Sequence, residues 1–540
     1  MAKPAVTDLR SGTGPVVLLI LDGWGLSPSW SGNAIALNDP PTFSYLWKYY
    51  PHAVLQAFRK VPGVTSAVGS SEIGHASIGS GRLIEQDLVE INRMIDDGQF
   101  FANPTLIAAF DQAMAQGKAV HLTGLLSDGG VHGDHRHAHA LVRLARQRGV
   151  TKLWLHPILD GRDVELRSAH RYVDELERVL AVEGIGRIAT VAGRYYAMDK
   201  GEYWDRTALT YEGMVFGHGR HSSSAHAAVT EAYDQGLDDE HVRPTVLAPT
   251  GTLAPGDVVV HWNFRADRGR QLVQALMDRS AFRAFPFRRR YPLAGVSVVT
   301  LTDYHLELPQ CQVAFPSATI SNTLGQLVAN RGLRQLRVAE REKYAHVTYF
   351  FNGGREEPYE GEDRVIVPSP RVPSYDAAPE MGAAAITRVL ERAIAKRSHH
   401  FIVANYGNVD MVAHTGNLLA TGRAVLVVDE AVRRVANAVM DAGGRLIITA
   451  DHGNGEAVAT LHRGDRETLH TFNPVPFVYV APDAKQPDAV AQHTLGTGVF
   501  AELLRSTHTL ADVAPTILEL LGIPKPSDMT GSSLLSTWER

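Results

Sequence analysis

The chain has 540 residues, 44% apolar and 21% charged, with a formal net charge of −5. That is ordinary globular composition, too long for a single core, so two or three domains are expected. The charge offers no general attraction to nucleic acid or an anionic membrane, and the basic run Arg288-Arg289-Arg290 reads as solvated surface. The single cysteine, Cys311, excludes an intramolecular disulfide and a thiolate metal cluster. With 24 histidines, any metal would be held by imidazole and carboxylate, a set suited to Mn, Zn, Fe or Mg. The apolar run 16–21 is too short to span a bilayer, and nothing ahead of it reads as a signal peptide, so a cytoplasmic protein is expected.

In chain order, residues 1–14 read as a loose tail. Residues 16–21 form a continuous branched apolar run, the pattern of a strand buried on both faces. The run stops at Asp22-Gly23-Trp24-Gly25. Open α/β sheets put ligand chemistry at such a strand end, although an aspartate before glycine also serves a plain turn. The stretch Gly69-Ser70-Ser71-Glu72-Ile73-Gly74-His75 follows, with a helix-like pattern after it. A serine at a helix N-terminus sits where backbone N–H groups and the dipole favour an anion, which makes Ser71 the favoured nucleophile. The same serines would also suit an ordinary helix cap. A hydroxyl is a weak nucleophile unless a base or a metal activates it.

Residues 76–118 read as helical and amphipathic. Strands are then expected at 119–126, 152–159, 187–192 and 258–262, with helices such as 137–147 and 168–182 between them. This alternation implies a mainly parallel sheet. Every strand of the block ends in polar residues: Ser127 to His132, Asp160-Gly161-Arg162-Asp163, Gly193-Arg194, and Asn263 to Arg268. Ends of parallel strands share one edge, so His132, Arg162, Arg194, Arg265 and Arg268 can converge, and arginine forks match phosphate and carboxylate. Residues 277–320 read as a boundary, with one more strand at 296–301.

A second set of strand ends follows. Residues 401–404 lead to Asp410-Met411-Val412-Ala413-His414, residues 445–450 to Asp451-His452-Gly453-Asn454, and His470-Thr471 precedes a short strand at 477–480. Asp410 and His414, at i and i+4, share a face if helical. Any one of these residues alone reads as a turn or cap. Together, Asp22, Asp410, Asp451, His414, His452 and His470 are enough for two adjacent cations, which could clamp the attacking and leaving oxygens of a displacement at phosphorus.

These motifs, in order along nearly the whole chain and joined by Tyr195-Tyr196-Ala197-Met198-Asp199 and Asn473-Pro474-Val475-Pro476, resemble the cofactor-independent phosphoglycerate mutases of the alkaline phosphatase superfamily. The resemblance implies an α/β fold of two domains. A split alkaline-phosphatase-like domain with a mainly parallel central sheet (1–85 and 317–540) would carry an inserted α/β phosphotransferase domain (86–316), with the site in a cleft that closes over substrate. It implies that Ser71 is transiently phosphorylated. Asp410, His414 and His470 would hold one metal, and Asp22, Ser71, Asp451 and His452 the other. His132, Arg162, Asp163, Arg194, Lys200, Arg265 and Arg268 would bind substrate, with Asp163 an acid/base and Lys343 facing the transferring phosphoryl group. The metals would be Mn²⁺, or Mg²⁺ in some members.

The expected activity is interconversion of 3- and 2-phosphoglycerate through a phosphoserine, without 2,3-bisphosphoglycerate. The expected protein is a monomer acting on a small molecule, with neither nucleic acid nor membrane as partner. The alternatives are a metal-dependent phosphatase, a mutase of another phosphorylated small molecule, or a non-catalytic protein that keeps the fold. Ser70, where asparagine is usual, and Lys200-Gly201, where Arg-Asp is usual, depart from the family pattern, as do Tyr406-Gly407 and Val409.

Overall fold

A computed structural model describes residues 14–58, 70–85, 87–277, 293, 295–304, 306, 311–316, 320–459, 470–486 and 506–538. The run Arg288-Arg289-Arg290, most of the 1–14 tail and Gly69 lie outside these residues. The described residues fall into two compact units. The first takes the described residues within 14–85 and 320–538, and the second those within 87–316.

The first unit is built on a mainly parallel sheet. Its strands run Glu362–Val367, Gln335–Glu340, Phe401–Tyr406, Val16–Leu21, Arg445–Thr449, Val475–Val480 and His52–Leu55 across the sheet. The central strand Val16–Leu21 pairs in parallel with Phe401–Tyr406 on one side and Arg445–Thr449 on the other. All six of its residues are buried, which is why the run is continuous rather than alternating. Each large side chain in it contributes about 1.5–3 kcal/mol by leaving water. Val475–Val480 joins Arg445–Thr449 antiparallel. The long helix Leu418–Asp441 supplies part of the cover, and the Asn417 side chain caps it by accepting from Ala420 N.

The second unit has its own sheet, in the order Cys311–Val313, Ser297–Thr300, Val258–His261, Val120–Leu125, Leu153–Leu159, Thr190–Gly193, Thr245–Val246 and Arg220–His221. The four strands from Val258–His261 to Thr190–Gly193 are mutually parallel. The strand expected at 187–192 is broken at Ala189 into Arg187–Ile188 and Thr190–Gly193, and both pieces pair with Leu153–Leu159. The continuous helical reading of 76–118 is also corrected. A helix Ser71–Ser80 stops at Gly81, which is left-handed (φ 63°). Two helices follow, Asp87–Asp96 and Pro104–Ala115, with Gly98 (φ 86°) and a 3-10 turn Gln99–Ala102 between them. Glycine tolerates the positive φ, and proline is suited to the first turn of the last helix.

Buried histidines mark the second unit. His121 Nδ1 lies 3.0 Å from His156 Nε2, and His121 Nε2 lies 3.2 Å from Asp257 Oδ2. His156 Nδ1 in turn lies 2.9 Å from Thr190 Oγ1, so the chain of contacts crosses three strands. His261 is fully buried, with Nδ1 2.9 Å from the Tyr304 hydroxyl. Burial, aided by the neighbouring His121, pushes the His156 pKa well below its ordinary value, and burial pushes that of His261 down to about 3. Below about pH 6.5 the unfolded chain therefore binds more protons than the folded one. The stabilising contribution of these two neutral histidines is complete above that pH and is lost as pH falls. Hydrogen exchange in Val120–Leu125 and Val258–His261 at pH 7 and pH 5, corrected for intrinsic rates, should show this loss, and unchanged protection would contradict it.

Candidate active site

In the first unit the site is assembled at one edge of the sheet. Asp22 follows Val16–Leu21, and Asp451 and His452 follow Arg445–Thr449. Asp410 lies in the short helix Asn408–Ala413, just beyond Phe401–Tyr406, and His414 caps that helix. Lys343 ends the 3-10 turn Arg341–Lys343, immediately after Gln335–Glu340. Four neighbouring strands thus deliver the site from their carboxyl ends. Val475–Val480 runs antiparallel, so its entry lies at the same edge and brings His470 with it.

Ser71 is the first residue of the helix Ser71–Ser80, and the capping role falls to Ser70, whose hydroxyl accepts from Ile73 N at 3.4 Å. The Ser71 hydroxyl is buried among polar groups. Its Oγ lies 2.7 Å from His452 Nε2, 3.3 Å from Asp22 Oδ1 and 2.8 Å from Lys343 Nζ. The Lys343 ammonium also donates to Asp22 Oδ1 at 2.7 Å and to Asp410 Oδ2 at 2.8 Å. Gly407, one of the departures from the family pattern, lies beside the lysine stem: a Cβ there would stand 2.9 Å from Lys343 Cγ.

Two clusters of ligating atoms emerge. His414 Nε2 and His470 Nε2 each lie 3.2 Å from Asp410 Oδ1 and 3.0 Å from one another. His452 Nε2 lies 3.7 Å from Asp22 Oδ1 and 3.5 Å from Asp451 Oδ2. Ligating atoms of Asp410, His452 and His470 fall within 4.8 Å of one another, and so do those of Asp22, His75 and Asp451.

Electrostatics favour a cation here. Burial and then the charge of Asp451 push the Asp22 carboxyl up to about 7, against the pull of Lys343. Burial works against ionisation of Asp410 too, but Lys343, His414 and His470 outweigh it and hold that carboxyl well below the usual range. Burial holds the His452 imidazole down at about 3, so its ring nitrogen is available as a metal ligand. Three buried carboxylates around one ammonium make a site short of positive charge, and mixed N/O donors fit a divalent cation.

In the second unit a set of cationic and carboxylate side chains sits at the carboxyl ends of the four parallel strands. Arg194 is buried and donates through Nη1 to Asp160 Oδ1 and Asp163 Oδ2, both at 2.6 Å. Asp160 is the hub: it accepts from Ser127 Oγ at 2.6 Å and from the backbone N–H groups of Arg162 (3.1 Å) and Asp163 (2.9 Å). Arg268 donates to Met198 O at 3.3 Å, and its pKa is lowered by burial and then by the charges of Arg194 and Arg162, so these guanidinium groups are crowded together. Asp267 gathers His132 (3.3 Å), Arg265 (3.5 Å) and Lys200 (3.6 Å). Burial opposes ionisation of Asp267, but the nearby His132, Arg265 and Lys200 hold its carboxyl far below the usual range. The Arg162 head is exposed, 3.4 Å from Glu240 Oε1.

Several site residues escaped the sequence reading. Asp160 and Asp267 lie inside polar strand-end motifs in which nothing local sets them apart. His75 stands at i+4 from Ser71, a spacing that could have flagged it, whereas nothing local marks Asn405 in its apolar strand. Glu456 is buried and accepts from Gly25 N (3.1 Å), Asn454 N (2.8 Å) and Asn473 Nδ2 (3.0 Å), and it also bonds the Thr471 hydroxyl. It thereby fixes the loop beside His470.

Fold and residue chemistry together define an α/β protein with a candidate metal-binding cluster at a sheet edge. A family model described as the BPG-independent PGAM N-terminus matches residues 91–306. The chain is 44% identical over 527 residues to a 2,3-bisphosphoglycerate-independent phosphoglycerate mutase of Moorella thermoacetica, covering 96% of this chain and 98% of that protein. To the protein of the same name from Clostridium botulinum it is 42% identical over 526 residues, covering 96% and 99%. A solved phosphoglycerate mutase from Leishmania mexicana superposes with a TM-score of 0.67 at 29% identity, covering 96% of this chain and 97% of that one. The chain belongs to the 2,3-bisphosphoglycerate-independent phosphoglycerate mutase family and is an isomerase. Among the described residues, no helix is long and apolar enough to cross a membrane.

Because Asp160 organises Arg194 and the turn bearing Arg162 and Asp163, Asp160→Asn should lower kcat/KM for 3-phosphoglycerate by roughly tenfold to a hundredfold. The loss should fall mainly on KM, and steady-state kinetics that place it on kcat alone would show that the hub does not serve substrate binding.

Proposed function

We propose that this isomerase interconverts 3- and 2-phosphoglycerate through a phosphoserine on Ser71. The observation that carries the reading is the position of the Ser71 hydroxyl at a helix N-terminus, 2.8 Å from Lys343 Nζ and 2.7 Å from His452 Nε2. The Ser71 oxygen attacks the substrate phosphorus. The Lys343 ammonium and the helix N-terminus meet the negative charge that develops on the phosphoryl oxygens.

Asp410, His414 and His470 would hold one divalent cation, and Asp22, Ser71, Asp451 and His452 a second, most simply Mn²⁺ or Mg²⁺. When bound, such ions supply Lewis-acid charge and favour the deprotonated serine. The Leishmania mexicana relative was solved at low cobalt concentration, which accords with a divalent cation in that protein.

His132, Arg162, Arg194, Arg265, Arg268 and Lys200 hold the glycerate. Their role is retention: the dephosphorylated product reorients without leaving, and its other hydroxyl takes back the phosphoryl group. Asp163, paired with Arg194, serves as the acid/base for those hydroxyls. The chemistry requires water to be kept from the phosphoserine. The reading is of a monomeric cytoplasmic enzyme with a small-molecule substrate and no 2,3-bisphosphoglycerate requirement.

Ser71→Ala should lower kcat by roughly 10³ or more. With 3-phosphoglycerate labelled in its phosphate, quenched wild-type enzyme should carry the label on Ser71. Treatment with a chelator should abolish turnover, and Mn²⁺ should restore it without added bisphosphoglycerate. Turnover retained by Ser71→Ala, or label on another residue, would overturn the mechanism, and phosphate release without isomerisation would show a phosphatase.

A further inference from the structure

His75 and Asn405 lie outside the proposed ligand and substrate sets, yet both are fully buried against them. His75 is on the helix that Ser71 opens, one turn on. Its Nδ1 lies 2.8 Å from the Ser71 carbonyl oxygen and 3.2 Å from Asp451 Oδ2. Both neighbours are acceptors, so Nδ1 carries the hydrogen. The other ring nitrogen, Nε2, lies 3.0 Å from Asn405 Nδ2 and accepts from it.

The Asn405 amide nitrogen also donates to Asp22 Oδ2 at 2.7 Å. Its two hydrogens are therefore both used, one on the imidazole and one on the carboxylate. A flipped amide would set its oxygen against the ionised Asp22 carboxylate, acceptor against acceptor, so this orientation is the one that fits ionised Asp22. With both ring nitrogens of His75 engaged, the ring acts as a brace rather than as a metal ligand, although its atoms lie within ligating reach of Asp22 and Asp451.

The brace reaches every part of the second cluster. Asp22 Oδ2 is taken by Asn405, leaving Oδ1 toward Ser71 and Lys343. Asp451 Oδ1 accepts from His452 N at 3.0 Å, and Oδ2 faces His75. Gly74, the residue before His75, packs so closely on Asp451 that a Cβ would stand 2.6 Å from its carbonyl oxygen. Asn405 itself sits opposite Ile20, two residues before Asp22, in the parallel pairing of the central strands.

We propose that Asn405 and His75 form one positioning relay, Asp22–Asn405–His75–Asp451, that sets the two carboxylates and the helix of Ser71 for a divalent cation. The proposal rests on the reading that Asp22 and Asp451 are metal ligands. Hydrogen-bonded partners of metal ligands commonly govern affinity by 10- to 100-fold.

The test is calorimetric titration of Mn²⁺ into chelator-stripped enzyme, for wild type, Asp451→Asn, His75→Leu, His75→Gln, Asn405→Leu and the double Leu variant, with kcat and KM alongside. Asp451→Asn checks the underlying reading, and if it leaves Mn²⁺ affinity unchanged, that reading fails. Given a loss there, His75→Leu and Asn405→Leu should each weaken one Mn²⁺ site by about 10- to 100-fold, with KM for 3-phosphoglycerate held within about twofold. The double variant should lose no more than the worse single one, because breaking either link disables the relay. His75→Gln, which keeps a donor and an acceptor, should recover part of the loss. Losses that multiply in the double variant, or single variants within about twofold of wild type, would overturn the relay. If His75→Leu does not fold, Asn405→Leu against Asp451→Asn still decides.

Discussion

Three buried carboxylates held together at one sheet edge are the constraint on which the rest of this molecule depends. Asp22, Asp410 and Asp451 are each at most 1% exposed. Like charges so placed repel, and burial deprives them of water, so the arrangement needs fixed positive charge and donors. Lys343 supplies the charge, touching Asp22 and Asp410, and Asn405, His75 and backbone N–H groups supply donors. A bound divalent cation would add what remains. Ser71, the proposed nucleophile, is drawn into the same balance, because its Oγ shares the lysine and Asp22.

The second unit solves the opposite problem by the same route. There, guanidinium groups crowd at the carboxyl ends of parallel strands, and carboxylates keep them in place. Asp160 anchors Arg194, and Asp267 gathers His132, Arg265 and Lys200. Arg194 is buried and held through one Nη1 by two carboxylates, whereas Arg162 is exposed at its head. Under the proposed function, a substrate carboxylate and phosphate would meet both buried and exposed cations there.

The departures from the family pattern have local accounts. Ser70 still caps the nucleophile helix through its hydroxyl, so the backbone that aims Ser71 is maintained. Lys200 keeps a positive charge near Asp267 without the bidentate geometry of arginine. Gly201 donates its N–H to Asp199 Oδ2 at 3.0 Å. The structure offers no account of Val409 beyond its burial.

Much of this was legible in the chain. The continuous apolar run at 16–21 could only be a strand covered on both faces, and Asp22 had to stand at its end. The i, i+4 pair Asp410 and His414, and the polar ends at Asp160, Arg194 and Asp451, followed from strand–helix alternation, because parallel strands share an edge. The ordered motifs identified the family. Local pattern could not decide which residues support the chemistry. Asn405 sits within an apolar strand, and its meaning arises only when Ile20 lies beside it and His75 reaches it from a helix more than 300 residues away in sequence. His470 joins Asp410 only because Val475–Val480 runs antiparallel. Sequence determines periodicity, caps and residue chemistry, which are local. The partner of a buried polar group is set by the fold, since only tertiary packing removes water and leaves one neighbour in its place.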